Sequence, residues 1–277
     1  MNFPQFWARG KNGDFLCWRW SAQSLAEAQA LANQAAQQLA DHFRAGDFPP
    51  KNGGYYPDRP VREQMLQEIK NDAGEVAAVV TRNSYGCQVL NTARVMFVDI
   101  DLPEPKPPGL FKRLFGKPDL TPPNDHQNAA MDKIENWTRN HPECGWRIYK
   151  TRAGLRLLAT QGLVEADSGE ADKVFDALGS DPLYRKLCKT QKCFRARLTP
   201  KPWRCGVRNK PERWPWLDEK REKRILKWEA HYQSSTLNWA TCELIKQIGN
   251  PVVHTEVQPI VKLHDEASRV GTKLQLA

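Results

Sequence analysis

The 277-residue sequence predicts a soluble α+β protein on three observations. Two nearly continuous apolar runs, Val76-Ala77-Ala78-Val79-Val80 and Val95-Met96-Phe97-Val98, read as central strands covered on both faces. A long periodic pattern, Leu25, Ala28, Leu31, Ala32, Ala35, Leu39 and Phe43, reads as a helix whose Ala-rich face packs closely on a sheet. Ahead of it, Phe6 to Trp20 alternates aromatic and polar residues around Gly10 and Gly13, as a β-hairpin does.

The remaining elements follow in order. Ser24 with Glu27 forms a capping-box pattern that opens the long helix. Residues 46–60, rich in Gly, Pro and Tyr, read as a loop, and Arg62 to Lys70 as a short helix. Strands are expected at Val76–Arg82 and Val95–Asp101, with a further one around Cys87–Leu90. Residues 103–123 hold 7 of the 20 prolines and predict an excursion from the fold. Within it, Gly109 to Gly116 is a short basic and aromatic piece, suited either to a partner or membrane surface or to packing back on its own domain. A helix capped at Asn124 or Asp125 should run to about Asn140, burying Ile134 and Trp137. Gly145–Lys150 and Leu155–Thr160 read as strands joined around Gly154. Next come a helix over Ser168–Leu178, a short helix near Tyr184–Cys188, a strand over Phe194–Leu198 and a charged helix over Leu217–Tyr232. The segment after Tyr232 is weakly patterned and is expected to wrap or extend. The domain organisation read from this is a hairpin-and-helix unit (1–60), a core (61–216) carrying the insertion 103–123, and a C-terminal helix with extended tail (217–277).

Charge is distributed unevenly. Residues 185–227 contain 16 Lys/Arg against 4 Asp/Glu, whereas the whole chain is formally +9, so the rest is net acidic. Concentrated positive charge attracts polyanions by releasing their counterions, which puts nucleic acid and nucleotide phosphate first among partners. The plainer reading is a solvated basic face. Hydrophobic residues at 40 % and ten tryptophans supply a sizeable core. No apolar stretch approaches the roughly 20 residues of a membrane span. The N-terminus lacks the basic start and apolar run of a secretory signal, so the seven cysteines predict reduced thiols in a cytoplasmic protein.

The sharpest motif is Val95-Met96-Phe97-Val98-Asp99-Ile100-Asp101. The two-residue period of a strand puts Asp99 and Asp101 on one face. Carboxylates so close repel unless a cation lies between them, and Mg²⁺ or Mn²⁺ suits such hard oxygen ligands. The alternative is a strand end whose acids face water or pair with Arg. A second constellation, Tyr149 to Leu158, places Lys150, Thr151, Arg152 and Arg156 around a turn at Gly154. Three cations with hydroxyl and amide donors fit a triphosphate or phosphodiester, though an ordinary basic hairpin has the same composition. The third runs from Gln191 to Arg204: in a strand, Arg195 and Arg197 share a face and could clamp phosphate. Trp203, Trp214 and Trp216 lie among cations, as in base-stacking surfaces, although tryptophans more often belong to a core. Cys188, Cys193 and Cys205 match no compact zinc spacing, no Cys-x-x-Cys occurs, and the histidines are scattered.

A strand ending in Asp-x-Asp, a helix, and two strands around a Thr–Gly–basic turn resembles the archaeo-eukaryotic primase (primase-polymerase) superfamily over roughly residues 60–205. The resemblance implies an RRM-like catalytic sheet with an N-terminal α/β unit and helices packed on it. It implies metal binding by Asp99 and Asp101, and nucleotide binding by Thr151, Gly154 and Arg156, the last standing where the family has His. Arg195, Arg197 and Lys201 resemble the family's later arginine element, which contacts nucleotide phosphates. Asp172, Asp176 and Asp181 are candidates by order for the third metal-binding acid, the first two within an expected helix. The implied function is metal-dependent nucleotidyl transfer on a nucleic-acid template, with a nucleoside triphosphate and Mg²⁺ or Mn²⁺. The alternatives are a catalytically inactive primase-like module binding nucleic acid or nucleotide, and a metal-dependent nuclease, for which the sequence places no His or Lys base beside the acidic pair.

Overall fold

The computed structural model describes residues 1–47, 60–103, 123–209 and 211–277. The loop expected at 46–60 and the Pro-rich insertion 103–123, with its 109–116 piece, lie almost wholly outside them. The expected hairpin is present: β1 (Phe6–Asn12) and β2 (Phe15–Ser21) pair antiparallel with Asn12 opposite Phe15. Gly13 in the connecting turn has φ +56°, a left-handed value that glycine adopts at no steric cost.

Helix α1 (Leu25–Arg44) starts where Ser24 accepts a hydrogen bond from Glu27 N at 3.1 Å. Its buried stripe is Ala28, Ala32, Ala35, Ala36 and Ala40, whereas Leu25, Leu31 and Phe43, expected on the same face, are exposed. The cause is the closeness of the hairpin. A Cβ on Gly10 would meet the Ala32 carbonyl oxygen at 2.0 Å, so only small side chains fit between helix and strand.

Two antiparallel four-stranded sheets form the body. One has the order β3-β4-β5-β9, from β3 (Gln64–Lys70), β4 (Val76–Arg82), β5 (Gln88–Thr92) and β9 (Phe194–Arg197). The other has the order β11-β7-β8-β6, from β6 (Phe97–Asp101), β7 (Gly145–Thr151), β8 (Gly154–Ala159) and β11 (Cys242–Gly249). The helix expected at Arg62–Lys70 is therefore strand β3. The four-residue spacing of Met65 and Ile69 fits a helix, but the apolar strand β4 needs a hydrogen-bonded neighbour on its outer side, and β3 supplies it with register shifts at Met65/Gln67 and Ile69/Lys70.

The helices α2 (Pro123–Arg139), α3 (Gly169–Leu178), α4 (Pro182–Gln191) and α5 (Glu219–Ser235) fall where patterned, α4 being longer than expected. The C-terminal segment is not an extended tail. It supplies β11 to the second sheet, helix α6 (Gln258–Ser268), and a short parallel pair of β10 (Trp239–Ala240) with β12 (Gln275–Leu276). One buried cluster joins Ala78, Val80 and Leu90 of the first sheet to Phe97, Ile148 and Leu157 of the second, so the two sheets share a core. The architecture is α+β, and among the described residues no helix is long and apolar enough to cross a membrane.

Candidate functional site

Strand β6 is apolar up to Val98 and ends in Asp99-Ile100-Asp101. Ile100 enters the core, while Asp99 lies opposite Arg156 and Asp101 opposite Gly154 on β8. Gly154 is required there, because a Cβ would meet the Ile100 carbonyl oxygen at 2.0 Å. Arg156 is 1 % exposed. Its Nε donates to Asp99 Oδ1 at 3.1 Å, and its Nη1 donates to the Arg197 carbonyl at 2.9 Å. Burial alone would favour a neutral Arg156, but the Asp99 charge and hydrogen bond, together with Cys242 and Tyr184, outweigh it and keep the guanidinium protonated. Arg156 is thus a buried partner of Asp99 and does not reach outward for phosphate.

Of the three acids in line for the third position, Asp172 and Asp176 lie on α3 and pair with Lys189 and Arg185 of α4. Asp181 is the one beside the pair. Its N–H and the Ser180 hydroxyl donate to the Asp99 carbonyl at 3.0 and 3.1 Å, and Tyr184 Oη donates to the Phe97 carbonyl at 3.1 Å. Asp181 caps α4 by accepting from Tyr184 N at 2.7 Å, ahead of Pro182 at the first helical position. The Asp101 carboxyl is raised above its ordinary range by partial burial first, then by the like charges of Asp181 and Asp99. Lys201 and Arg197 oppose that rise in part.

The cations divide into two groups. Arg195 does not belong to a phosphate clamp: it is 6 % exposed and bonds both Glu63 carboxylate oxygens at 2.8 Å. Arg197 has no ion pair among the described residues, and its Nε is buried without a hydrogen-bond partner. Burial and the neighbouring Arg156 charge lower its proton affinity. Lys201 is lowered likewise, by burial and then by Arg197 and Arg204, with Asp101 acting in the other direction. In the β7–β8 turn, Thr151 Oγ1 donates to the Gly154 carbonyl at 3.1 Å and Leu102 N to the Ala153 carbonyl at 2.9 Å, so the turn abuts the Asp101 end of β6. Arg152 is exposed on that turn. Lys150 is exposed too, but strand alternation sends it to the face away from Asp99. The basic window is less bare than its composition implies, because Arg185, Lys189, Lys192 and Arg195 pair with Asp176, Asp172, Asp167 and Glu63 from outside it.

Sequence reasoning missed α6. His264 is fully buried there, its Nδ1 donating to Asp265 Oδ1 at 2.9 Å and its Nε2 lying 3.4 Å from Arg156 Nη1. Asp265 also accepts from Tyr149 Oη at 2.8 Å and Arg147 Nη2 at 2.6 Å. Asp99 is therefore backed by a continuous polar chain through Arg156 and His264 to Asp265. The available signal was Ile260, His264 and Ser268 at successive four-residue steps, one buried helical stripe.

The donor set suits a small hard cation. Asp99 has one oxygen outside its bond to Arg156, and the raised Asp101 carboxyl marks negative charge that the protein leaves partly uncompensated. Among the described residues no three His, Cys, Asp or Glu side chains converge into a protein-only cage. Mg²⁺ does not need one, since it usually takes one or two carboxylates together with waters and substrate phosphates. Comparison of the chain with protein-family models, curated proteins and solved structures found no match.

Proposed function

We propose that the chain binds the phosphates of a nucleoside triphosphate at the Asp101 end of β6 and catalyses metal-dependent nucleotidyl transfer on a nucleic-acid template, as the resemblance to primase-polymerases implies. The observation that carries this is the juxtaposition of Asp99, Asp101 and Asp181 with Arg197 and Lys201. Acids alone repel an anion, and cations alone bind one without a metal. The two together match a metal–phosphate complex. Asp101 and the outer oxygen of Asp99 would hold Mg²⁺ or Mn²⁺, with Asp181 adding negative charge beside them. The ion would polarise phosphate oxygens and neutralise charge developing on them. Arg197 and Lys201 orient the phosphates, and the Arg197 guanidinium, beside the Arg156 charge, carries positive charge that an anion would relieve. Arg156 holds Asp99 in register and is a positioning residue.

The test is a manganese-supplemented assay with labelled nucleotides on single-stranded templates. Wild type should form product, and Asp101→Asn should lose it while remaining folded. Absence of product from wild type overturns nucleotidyl transfer. The second reading, a binding module without catalysis, is favoured by the Arg156–Asp99 pair, which ties up one carboxylate oxygen. It predicts nucleic-acid binding with a steep salt dependence and no product. Shortening of the template would support hydrolysis instead, with Lys201 as the base that the sequence alone did not place beside the acids.

A further inference from the structure

Of the ten tryptophans, Trp203 alone is exposed, at 52 % of its surface. A ring of this size is ordinarily covered, and this one is held rigidly in the open. It lies in the turn Pro202–Arg204, where Arg204 N bonds the Lys201 carbonyl at 2.8 Å and Val207 N bonds the Pro202 carbonyl at 2.9 Å. Cys205 and Val207 anchor that turn in a small core with Tyr232. Tyr85 packs edge-on against the Trp203 ring at 5.3 Å and 81°. Lys201 Nζ lies 5.5 Å from the ring centroid. Lys201 also belongs to the charge cluster of Arg197 and Asp101, so one side chain joins the exposed ring to the phosphate-binding rim.

We propose that Trp203 is the base-stacking platform for a nucleotide whose phosphates lie on Lys201 and Arg197. The proposal rests on the phosphate-site reading above and sharpens it: the ligand is a nucleotide, not a bare polyphosphate. Stacking on a flat indole accepts any base, because every base has a π-face. Lys201, a cation over the same ring, adds to the electrostatic pull on the ligand.

The test is titration calorimetry of the full chain in Mn²⁺ with ATP, UTP and inorganic tripolyphosphate. Trp203→Ala should weaken both nucleotides roughly tenfold and leave tripolyphosphate unchanged, and Trp203→Phe should recover most of the loss. Thermal melting of each variant checks the fold, which an exposed ring does not threaten. Unchanged nucleotide affinity in Trp203→Ala, or equal weakening of nucleotide and tripolyphosphate, overturns the platform. Wild type that binds tripolyphosphate as well as ATP overturns the platform alone. Wild type that binds neither overturns the phosphate site and the platform with it.

Discussion

Asp99 spends one oxygen on a fully buried guanidinium, while Asp101, two residues on, stands at the exposed rim with its carboxyl raised. Their substitutions should therefore diverge. Asp99→Ala strips Arg156 of its counter-charge and should cost on the order of 3 kcal/mol, the low end for a buried pair because Asp99 is itself partly solvated. Asp101 has the opposite sign. A carboxyl that is harder to ionise in the fold than in the unfolded chain destabilises the native state at neutral pH. Asp101→Asn should thus melt at the same temperature as wild type or higher, while losing Mn²⁺ binding. Thermal melting with calorimetry checks both, and a lower melting temperature for Asp101→Asn would contradict the placement. At this scale the acidic pair was legible, because an apolar strand ending in Asp-x-Asp settles which face the acids share. The fates of the arginines were not. Arg195 and Arg197 alternate identically, and only the position of Glu63, far off in sequence, takes one and leaves the other.

Helix α1 and strand β1 meet across Gly10, where backbone touches backbone. Gly10→Ala pushes a methyl into the Ala32 carbonyl and should cost about 1–3 kcal/mol, with faster amide exchange in α1 and the hairpin. Unchanged exchange would show that the helix can ride outward freely. Most elements were legible locally. Ser168 caps α3, accepting from Ala171 N at 3.1 Å, and Gly179 at φ +74° ends it. The misplaced elements are those whose periodicity is ambiguous or weak. Met65 and Ile69 serve a helix or a bulged strand equally, and β11 exposes Glu243, Ile245, Lys246 and Gln247 as a sheet edge, with no clean alternation to mark it.

Across the whole molecule, α6 packs against β7 and β8 on the side that carries Arg156, and their seam is the Arg147–Tyr149–Asp265–His264–Arg156 network. Burial holds His264 below its ordinary pKa, with the nearby Arg156 and Arg147 charges adding to that, while Asp265 opposes. Burial would raise Asp265, but hydrogen bonds from His264 and Tyr149 and the His264 and Arg147 charges bring it lower. Both groups are easier to protonate in the unfolded chain. Stability is therefore full near neutral pH and lost on acidification, first below about pH 6.5 as unfolded His264 takes a proton, then below about pH 4 through Asp265. Urea midpoints measured from pH 8 to 4 should fall in that order, and His264→Asn should flatten the first step. An identical slope in wild type and variant would exclude His264 as its source.

The sequence by itself determined most strands before Leu198, most helix ends and the same-face acidic pair, because these follow from chain periodicity and caps within a few residues. Tertiary structure decided which charges are partners and which are free. It brought Asp181 to Asp99, buried Arg156 and Arg195, and left Arg197, Lys201 and Trp203 at the rim. Those outcomes depend on contacts between residues tens to more than a hundred positions apart, where the electrostatic cost of burial selects the partner and no local pattern records it.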